Sequence, residues 1–386
     1  MVQKKRVESI YGSIDIGSNS VLTFLTFVLI SNYFNSTDKD SIGIDLIGYF
    51  GLILSIAALV ETIQAGLYEN PAFLGYGIGY KSFKLSILNI GPFIIIPVLV
   101  VNQLILPGYF AASIFYCFTH VLLHNIRIYD YKKDNVKTSA LRSVIIFILQ
   151  IGFFAYIYFS KPEINLNHIF LGVSVIRSIL IFFNYKKIFA IKNSENNTEN
   201  LNFLFVSLMS IVRSRLPLWI LLPYGLGLVG IYETFRTLME IYLSPFRPIN
   251  LILRKNLKRD GRKNILTFGL ICGAITAIVV GATYFFVTSF EIYNIPELQT
   301  IFPYLSLIAI TFFFWVSEVT GFIFQSNGFM SFESKRRFFP ILGFLIIGLI
   351  FFNFLNLNIF LFLISTIYIF ESIISIFSRS KLKIQE

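Results

Sequence analysis

Long apolar runs recur from one end of the chain to the other, and this pattern constrains the fold more than any other feature. A helix that crosses the hydrocarbon layer of a bilayer needs about 20 mostly apolar residues. Strands of a membrane barrel would be shorter and would alternate between apolar and polar residues. We therefore predict an all-α integral membrane protein with about twelve transmembrane helices. The predicted spans are 14–33, 46–68, 84–104, 108–127, 143–160, 165–185, 203–223, 225–246, 265–288, 300–325, 338–353 and 357–377.

The composition excludes a soluble protein of this length. Hydrophobic residues make up 55% of the chain and charged residues only 14%, whereas soluble domains carry about 25% charged residues. Both cysteines, Cys117 and Cys272, fall inside apolar runs and are interpreted as buried thiols. The glycine-rich stretch from Gly75 to Ser82 lacks the Gly-Lys pair of a phosphate loop. We therefore expect no enzyme, no cofactor and no catalytic or metal-binding residues.

The net charge of +11 is distributed as membrane topology requires, and not as a nucleic-acid-binding face. Of the 32 Lys and Arg residues, 26 fall at one side of the predicted spans, Arg142, Arg336 and Arg337 among them. The other side holds only Lys39 and Lys161. The positive-inside rule makes the first side cytoplasmic. Both termini are therefore predicted to be cytoplasmic, and nucleic acid is not expected as a partner.

A polar stretch between the sixth and seventh spans divides the chain. It runs from Lys192 to Asn202 with the sequence KNSENNTENLN. Repeated halves joined in this way are common in transporters. We predict an N-terminal six-helix lobe at 1–192, a cytoplasmic linker at 193–202 and a C-terminal six-helix lobe at 203–386.

Ionisable residues inside the predicted spans are the strongest functional signal. Such residues are costly at membrane depth and usually face a cavity or a partner. Structural ion pairs between helices are the alternative, although a set of this size would be an expensive way to pack helices. The basic members are Arg177, Arg213, Arg215 and Arg236, and the acidic members are Asp15, Glu61, Glu233, Glu240, Glu318 and Glu371.

Three of these residues follow helical spacing within span eight. Glu233, Arg236 and Glu240 are separated by three and then four residues, which places them on one face of a helix. In this arrangement both glutamates are predicted to hold Arg236.

Two other polar pairs are given structural interpretations. His120 and His124 share one helix face, but two histidines without a third ligand do not make a metal site. They are interpreted as packing at a helix interface or near lipid headgroups. Asp38 and Asp40 lie in the first outer loop, which is too short to fold over a substrate as the outer loop of a membrane glycosyltransferase would.

Two stretches carry a resemblance to a known family. They are IGYFGLILSIAALVETIQAGLYENP, from Ile47 to Pro71, and LVGIYETFRTLMEIYLSPFRPI, from Leu228 to Ile249. Each resembles the second helix of one half in polysaccharide flippases of the multidrug/oligosaccharidyl-lipid/polysaccharide (MOP) exporter superfamily. The twelve-span layout, the chain length and the polar linker are also similar to that family.

The resemblance implies a V-shaped pair of six-helix lobes that works by alternating access in a bacterial cytoplasmic membrane. The implied substrate is an oligosaccharide linked to undecaprenyl diphosphate, used for surface polysaccharide such as the O-antigen of lipopolysaccharide. Basic cavity residues of the family imply that Arg177, Arg213, Arg215 and Arg236 meet the diphosphate. We expect a monomer surrounded by membrane lipids.

The many carboxylates depart from that pattern. They leave open an ion-coupled drug or cation exporter of the same superfamily, in which the carboxylates would bind H⁺ or Na⁺. A polytopic membrane glycosyltransferase or polymerase is a weaker alternative.

The predicted topology can be tested by labelling single cysteines from outside the cell. In a background without Cys117 and Cys272, Ser36→Cys should react with an impermeant maleimide in intact cells, because its loop is predicted to be external. Ser194→Cys should react only after the cells are opened. The opposite pattern would refute a cytoplasmic placement of the termini.

Overall fold

The computed structural model describes most of the chain as helix. The described residues are 2–35, 42–64, 81–132, 135–160, 164–189, 199–243, 263–290, 300–326, 329–350 and 356–378. Asp38, Asp40, Gly75–Tyr80 and most of the predicted linker lie outside this part. Within it the helices are α1 (Val2–Asn35), α2 (Ile42–Gln64), α3 (Lys81–Leu104), α4 (Phe110–Lys132), α5 (Val136–Ser160), α6 (Leu166–Phe189), α7 (Glu199–Leu221), α8 (Leu226–Leu243), α9 (Lys263–Phe290), α10 (Ile301–Ser326), α11 (Met330–Ile350) and α12 (Leu357–Phe377).

The predicted all-α class is confirmed, with twelve α-helices in the described residues at the places of the twelve predicted spans. Seven of them are long and apolar enough to cross a membrane by length and composition. Two shorter apolar stretches lie at Gly91–Leu104 of α3 and Gly269–Phe285 of α9. Other helices contain charged residues. The 18 residues of α8, for example, include Glu233, Arg236 and Glu240. The seven apolar stretches are Ile10–Phe34, Gly43–Gln64, Val136–Ser160, Leu166–Asn184, Leu204–Tyr224, Ile301–Gly321 and Leu357–Phe377.

Three helices begin about two to three turns before the predicted spans. α1, α5 and α11 begin at Val2, Val136 and Met330, whereas the spans were predicted from 14, 143 and 338. A span predicted from apolar residues ends at the first charged residue. The helix itself can continue past that residue where its charged side chains find partners.

This difference corrects the placement of three arginines. Arg142, Arg336 and Arg337 were assigned to the cytoplasmic gaps, but they lie inside α5 and α11. Their exposed fractions are only 7%, 1% and 3%. They are buried side chains, and not part of a solvated basic loop.

The chain forms two compact units, and the boundary between their residue ranges falls within α8. The first comprises residues 1–237 and the second residues 238–386. In the first unit α1 packs on α5, α4 on α6, and α2 on α4 and α7. In the second unit α10 packs on α9 and α12, and α11 packs on α12. The lobe boundary at 193–202 stays a prediction.

An aromatic cluster fixes the relative positions of α2, α4 and α6 in the first unit. The Phe50 ring stacks on Phe170, with centroids 5.2 Å apart. The Tyr116 ring lies 5.3 Å from Phe50 and 5.1 Å from Phe170. All three rings are at most 2% exposed. This packing holds Tyr116 on α4 in one position, and Tyr116 in turn supports the polar residues described below.

Two glycines bring α2 and α8 into backbone contact. A Cβ added to Gly48 would lie 2.3 Å from the carbonyl oxygen of Leu226, and one added to Gly230 would lie 2.1 Å from that of Ile44. The two contacts are reciprocal, because each glycine faces the carbonyl four residues before the other glycine. No residue with a side-chain carbon fits this crossing without moving a backbone.

We expect Gly48→Ala and Gly230→Ala each to destabilise the protein by about 1–3 kcal/mol, as overpacking of a close contact does. Gly152→Ala is the matched control, because nothing lies within 4 Å of a Cβ at that site. Alanine there should be neutral or stabilising by up to about 1 kcal/mol, since it favours helix more than glycine does. Thermal unfolding in detergent measures all three variants. Equal stability of the three would contradict the close crossing.

Candidate functional site

The predicted site residues divide between the two units. Asp15, Glu61, Arg177, Arg213, Arg215, Glu233 and Arg236 fall in the first unit, and Glu240, Glu318 and Glu371 fall in the second.

Glu233 on α8 is a carboxylate held by two arginines. Arg236 donates from Nε to Oε2 at 2.6 Å and from Nη2 to Oε1 at 2.5 Å. Arg215 on α7 donates from Nη1 to Oε1 at 3.3 Å. Glu233 is fully buried and Arg236 is 6% exposed. The three side chains together carry one net positive charge in a low-dielectric setting.

A glycine of α2 makes room for this carboxylate. A Cβ added to Gly51 would lie 2.6 Å from Cγ of Glu233. The Glu233 side chain therefore lies directly against the α2 backbone, three residues beyond the Gly48 crossing. The predicted contact between Glu233 and Arg236 is found, while the contact of Arg236 with Glu240 stays a prediction.

Arg213 is also buried, at 3% exposure. It precedes Arg215 by two residues, and side chains at that spacing lie on different faces of a helix. The structure thus joins Arg215 and Arg236 through Glu233, and places Arg213 on another face of α7.

Arg177 on α6 rests on the aromatic cluster. Its Cζ lies 4.5 Å from the centroid of the Tyr116 ring, and Nη2 donates to the Tyr116 hydroxyl at 3.4 Å. Such cation–π contacts contribute more when they are desolvated. Nη1 of Arg177 is enclosed without a hydrogen-bond partner among the described residues. A ligand oxygen could supply that partner.

Glu61 on α2 contacts both histidines of α4. Oε1 lies 3.2 Å from Nε2 of His120, and Oε2 lies 3.8 Å from Nδ1 of His124. The His120 ring stacks on Tyr116 at 5.9 Å. The interpretation of these histidines as interface packing therefore omitted their carboxylate partner. The four-residue spacing of the histidines indicates that they share a helix face. It does not show that α2 is the helix that packs against that face.

Asp15 links α1 to α4 and α5. It is fully buried, accepts hydrogen bonds from Ser139 at 2.8 Å and from Ser143, and lies 3.4 Å from Nε of Arg127. Its oxygens are occupied by protein groups, as expected of a residue that holds helices together.

The second unit contains a similar carboxylate between two arginines, which sequence reasoning missed. Glu333 on α11 accepts from Nε and Nη2 of Arg336, both at 2.7 Å, and from Nε of Arg337 at 2.6 Å. A Cβ added to Gly321 would lie 2.5 Å from Oε1 of Glu333. The signal was a glutamate followed by arginines three and four residues later, but these residues were assigned to a loop.

The two predicted carboxylates of the second unit join this network. Glu318 lies 3.3 Å from Nη1 of Arg337, and Glu371 lies 4.0 Å from Nη1 of Arg336. Ser317 donates to Glu371 at 2.7 Å. Three carboxylates and two guanidiniums leave one net negative charge, opposite to the Glu233 cluster. No group of three or more metal-binding side chains with suitable geometry occurs among the described residues.

Comparison with known proteins identifies the fold. No protein-family profile and no curated protein matches the chain. It is similar to the solved MATE multidrug transporter DinF-BH in complex with R6G, with a TM-score of 0.65 and 16% identity over 98% of this chain and 95% of that one.

Two further transporters show the same likeness over nearly their whole length. One is a MOP superfamily transporter from Pyrococcus furiosus, whose binding pocket is described as having reverse polarity. Its TM-score is 0.59, with 13% identity over 99% of this chain and 96% of that one. The other is the Vibrio cholerae MATE transporter VcmN, with a TM-score of 0.52 and 11% identity over 100% and 99%. All three are named as transporters. The chain is thus a multi-pass membrane protein with the fold of the MATE transporters of the MOP superfamily.

Proposed function

We propose that this protein is a flippase that moves a lipid-diphosphate-linked oligosaccharide across the cytoplasmic membrane for surface polysaccharide synthesis. The observation that carries the proposal is the convergence of two guanidinium groups, those of Arg215 and Arg236, on the buried carboxylate of Glu233. A buried cationic cluster suits an anionic headgroup, and the fold is one used by transporters.

Guanidinium groups fit the diphosphate chemically. Each presents planar donors that pair with phosphate oxygens in a bidentate manner, and each stays charged at any relevant pH. Arg177 adds an enclosed donor, Nη1, that has no hydrogen-bond partner among the described residues. Arg213 is a further, buried candidate on α7. Together these four arginines form the proposed diphosphate site.

Glu233 gives the site a resting state. Without substrate, it neutralises part of the charge of Arg215 and Arg236, so that neither guanidinium stands uncompensated in a low-dielectric environment. When the diphosphate enters, its oxygens replace the carboxylate as partners of the arginines. Alternating access would then carry the headgroup across the membrane.

An ion-coupled drug or cation exporter is the second candidate. Two of the structural neighbours described above are named as MATE transporters, one of them a multidrug transporter, and the first unit contains the buried carboxylates Asp15 and Glu233. A cationic substrate would need net negative charge at its site. The Glu233 cluster has the opposite sign, which favours the flippase.

Arg215→Ala tests the site with little effect on folding. The variant keeps both hydrogen bonds between Arg236 and Glu233 but removes the excess positive charge. We expect transport of a fluorescent polyprenyl-diphosphate oligosaccharide in proteoliposomes to fall by about 10- to 100-fold, as for loss of a charged hydrogen bond of about 1.5–3 kcal/mol. Arg215→Lys should retain partial activity, because it keeps the charge but loses the planar fork.

Lys137→Gln is the matched control for charge loss, because Lys137 is exposed. Its transport should equal that of the wild type. Unchanged transport of the lipid-linked oligosaccharide by Arg215→Ala would overturn the assignment of the site. Efflux of a cationic dye without any transport of the lipid-linked oligosaccharide would establish the exporter instead.

Glu233→Gln should cause a large loss of stability, whereas Arg215→Ala should have little effect on folding. Glu233→Gln leaves the partly buried Arg215 and the buried Arg236 without their shared carboxylate. Breaking a buried pair in this way costs about 3–5 kcal/mol. Thermal unfolding in detergent should therefore rank Glu233→Gln well below Arg215→Ala. Equal stability of the two variants would mean that the carboxylate does not hold the arginines together.

A further inference from the structure

Thr237 on α8 carries a buried hydroxyl that has no hydrogen-bond partner among the described residues. The residue is only 1% exposed, so that bulk water does not replace the missing partner. A polar group that leaves water without gaining a hydrogen bond costs free energy. Such groups are rare in native structures, and a ligand that supplies the missing partner is one reason for them.

Other buried threonines of this protein satisfy their hydroxyls within their own helices. A helical threonine can donate to the backbone carbonyl three or four residues earlier. Thr234, on the same helix as Thr237, donates in this way to the carbonyl of Gly230 at 2.9 Å. Thr237 therefore departs from a pattern that its own helix follows three residues earlier. The same bond is made by Thr26, Thr119, Thr276, Thr311 and Thr320.

Thr237 follows Glu233 by one helical turn. Residues four apart lie on the same face of a helix, and the side chain of the later residue leans back over the turn of the earlier one. On that turn, Arg215 and Arg236 both donate to the carboxylate of Glu233. Thr237 belongs to the same compact unit as these three residues. Its hydroxyl is therefore placed about one turn from the point where two guanidinium groups converge.

The donors around this point limit which ligand can use the hydroxyl. Guanidinium groups donate hydrogen bonds and accept none, whereas a threonine hydroxyl can do either. A ligand group that is shared with the arginines must therefore be an acceptor, and the hydroxyl must act as a donor to it. Oxygens of a phosphate group are strong acceptors that meet this requirement.

We propose that the Thr237 hydroxyl donates a hydrogen bond to an oxygen of the diphosphate that Arg215 and Arg236 bind. The proposal rests on the proposed function, because it takes the diphosphate as the ligand, and it adds a substrate-binding residue to that site. Binding gives the buried hydroxyl the partner that the ligand-free protein does not provide among its described residues. A site with a buried donor of this kind also rejects analogues that lack the acceptor.

Thr237→Val tests the proposal, because valine has nearly the shape of threonine without the hydroxyl. Its affinity for farnesyl diphosphate, measured by calorimetry in detergent, should fall about 10- to 100-fold, as for loss of a hydrogen bond to a charged group. Without ligand, the variant should unfold at the same temperature as the wild type or higher, because it no longer buries an unsatisfied hydroxyl. Thr237→Ser should keep most of the affinity, because it keeps the donor.

Thr234→Val is the matched control on the same helix. Thr234 is also fully buried, but its hydroxyl is already bound to the carbonyl of Gly230. This variant should bind farnesyl diphosphate as the wild type does. Farnesol, which lacks the diphosphate, should not distinguish the wild type from Thr237→Val.

The outcomes separate this proposal from the proposed function. Weaker binding by Thr237→Val with unchanged or higher stability would support the assignment of the hydroxyl. Equal affinity of the wild type and Thr237→Val would overturn that assignment and leave the diphosphate site of the arginines standing. If Thr237→Val unfolds at a lower temperature than Thr234→Val, the hydroxyl supports the fold, and the assignment is likewise overturned. If the wild type itself does not bind farnesyl diphosphate, the proposed function fails, and the role of Thr237 fails with it.

Discussion

A buried ion pair between a glutamate and an arginine holds helices together in both units. In each unit a fully buried glutamate accepts two hydrogen bonds from the arginine three residues later, through Nε and Nη2. A second arginine contacts the same carboxylate. A glycine of another helix leaves room for the glutamate side chain. The pairs are Glu233 with Arg236 and Glu333 with Arg336. The same arrangement around a buried glutamate therefore occurs twice among the described residues.

The two clusters differ in the partners that surround the arginines. Around Glu333, Glu318 and Glu371 add carboxylates and Ser317 adds a hydroxyl, so that the arginines are surrounded by protein acceptors. Glu233 is one carboxylate that two guanidinium groups contact. In the proposed function, the Glu233 cluster binds the substrate and the Glu333 network holds helices together.

Much of the fold could be predicted from hydropathy, because burial in lipid requires about 20 apolar residues for each span. The same rule failed at Arg142 and Arg336, where charged helical turns continue an apolar span. There the arginines are buried against polar partners, Asp130 for Arg142 and Glu333 and Ser317 for Arg336. Burial of Glu233 and Arg236 could be predicted from helical spacing. The contact between Glu61 and His120 could not, because it joins α2 to α4 and depends on how two helices pack.

The crossing of α2 and α8 has a consequence for how the two helices can move. Gly48 faces the carbonyl of Leu226, and Gly230 faces that of Ile44, so that the two contacts are reciprocal. A side-chain carbon on either helix would push the same two backbones apart. The two glycines therefore act as one constraint, and a change at either of them would loosen the other.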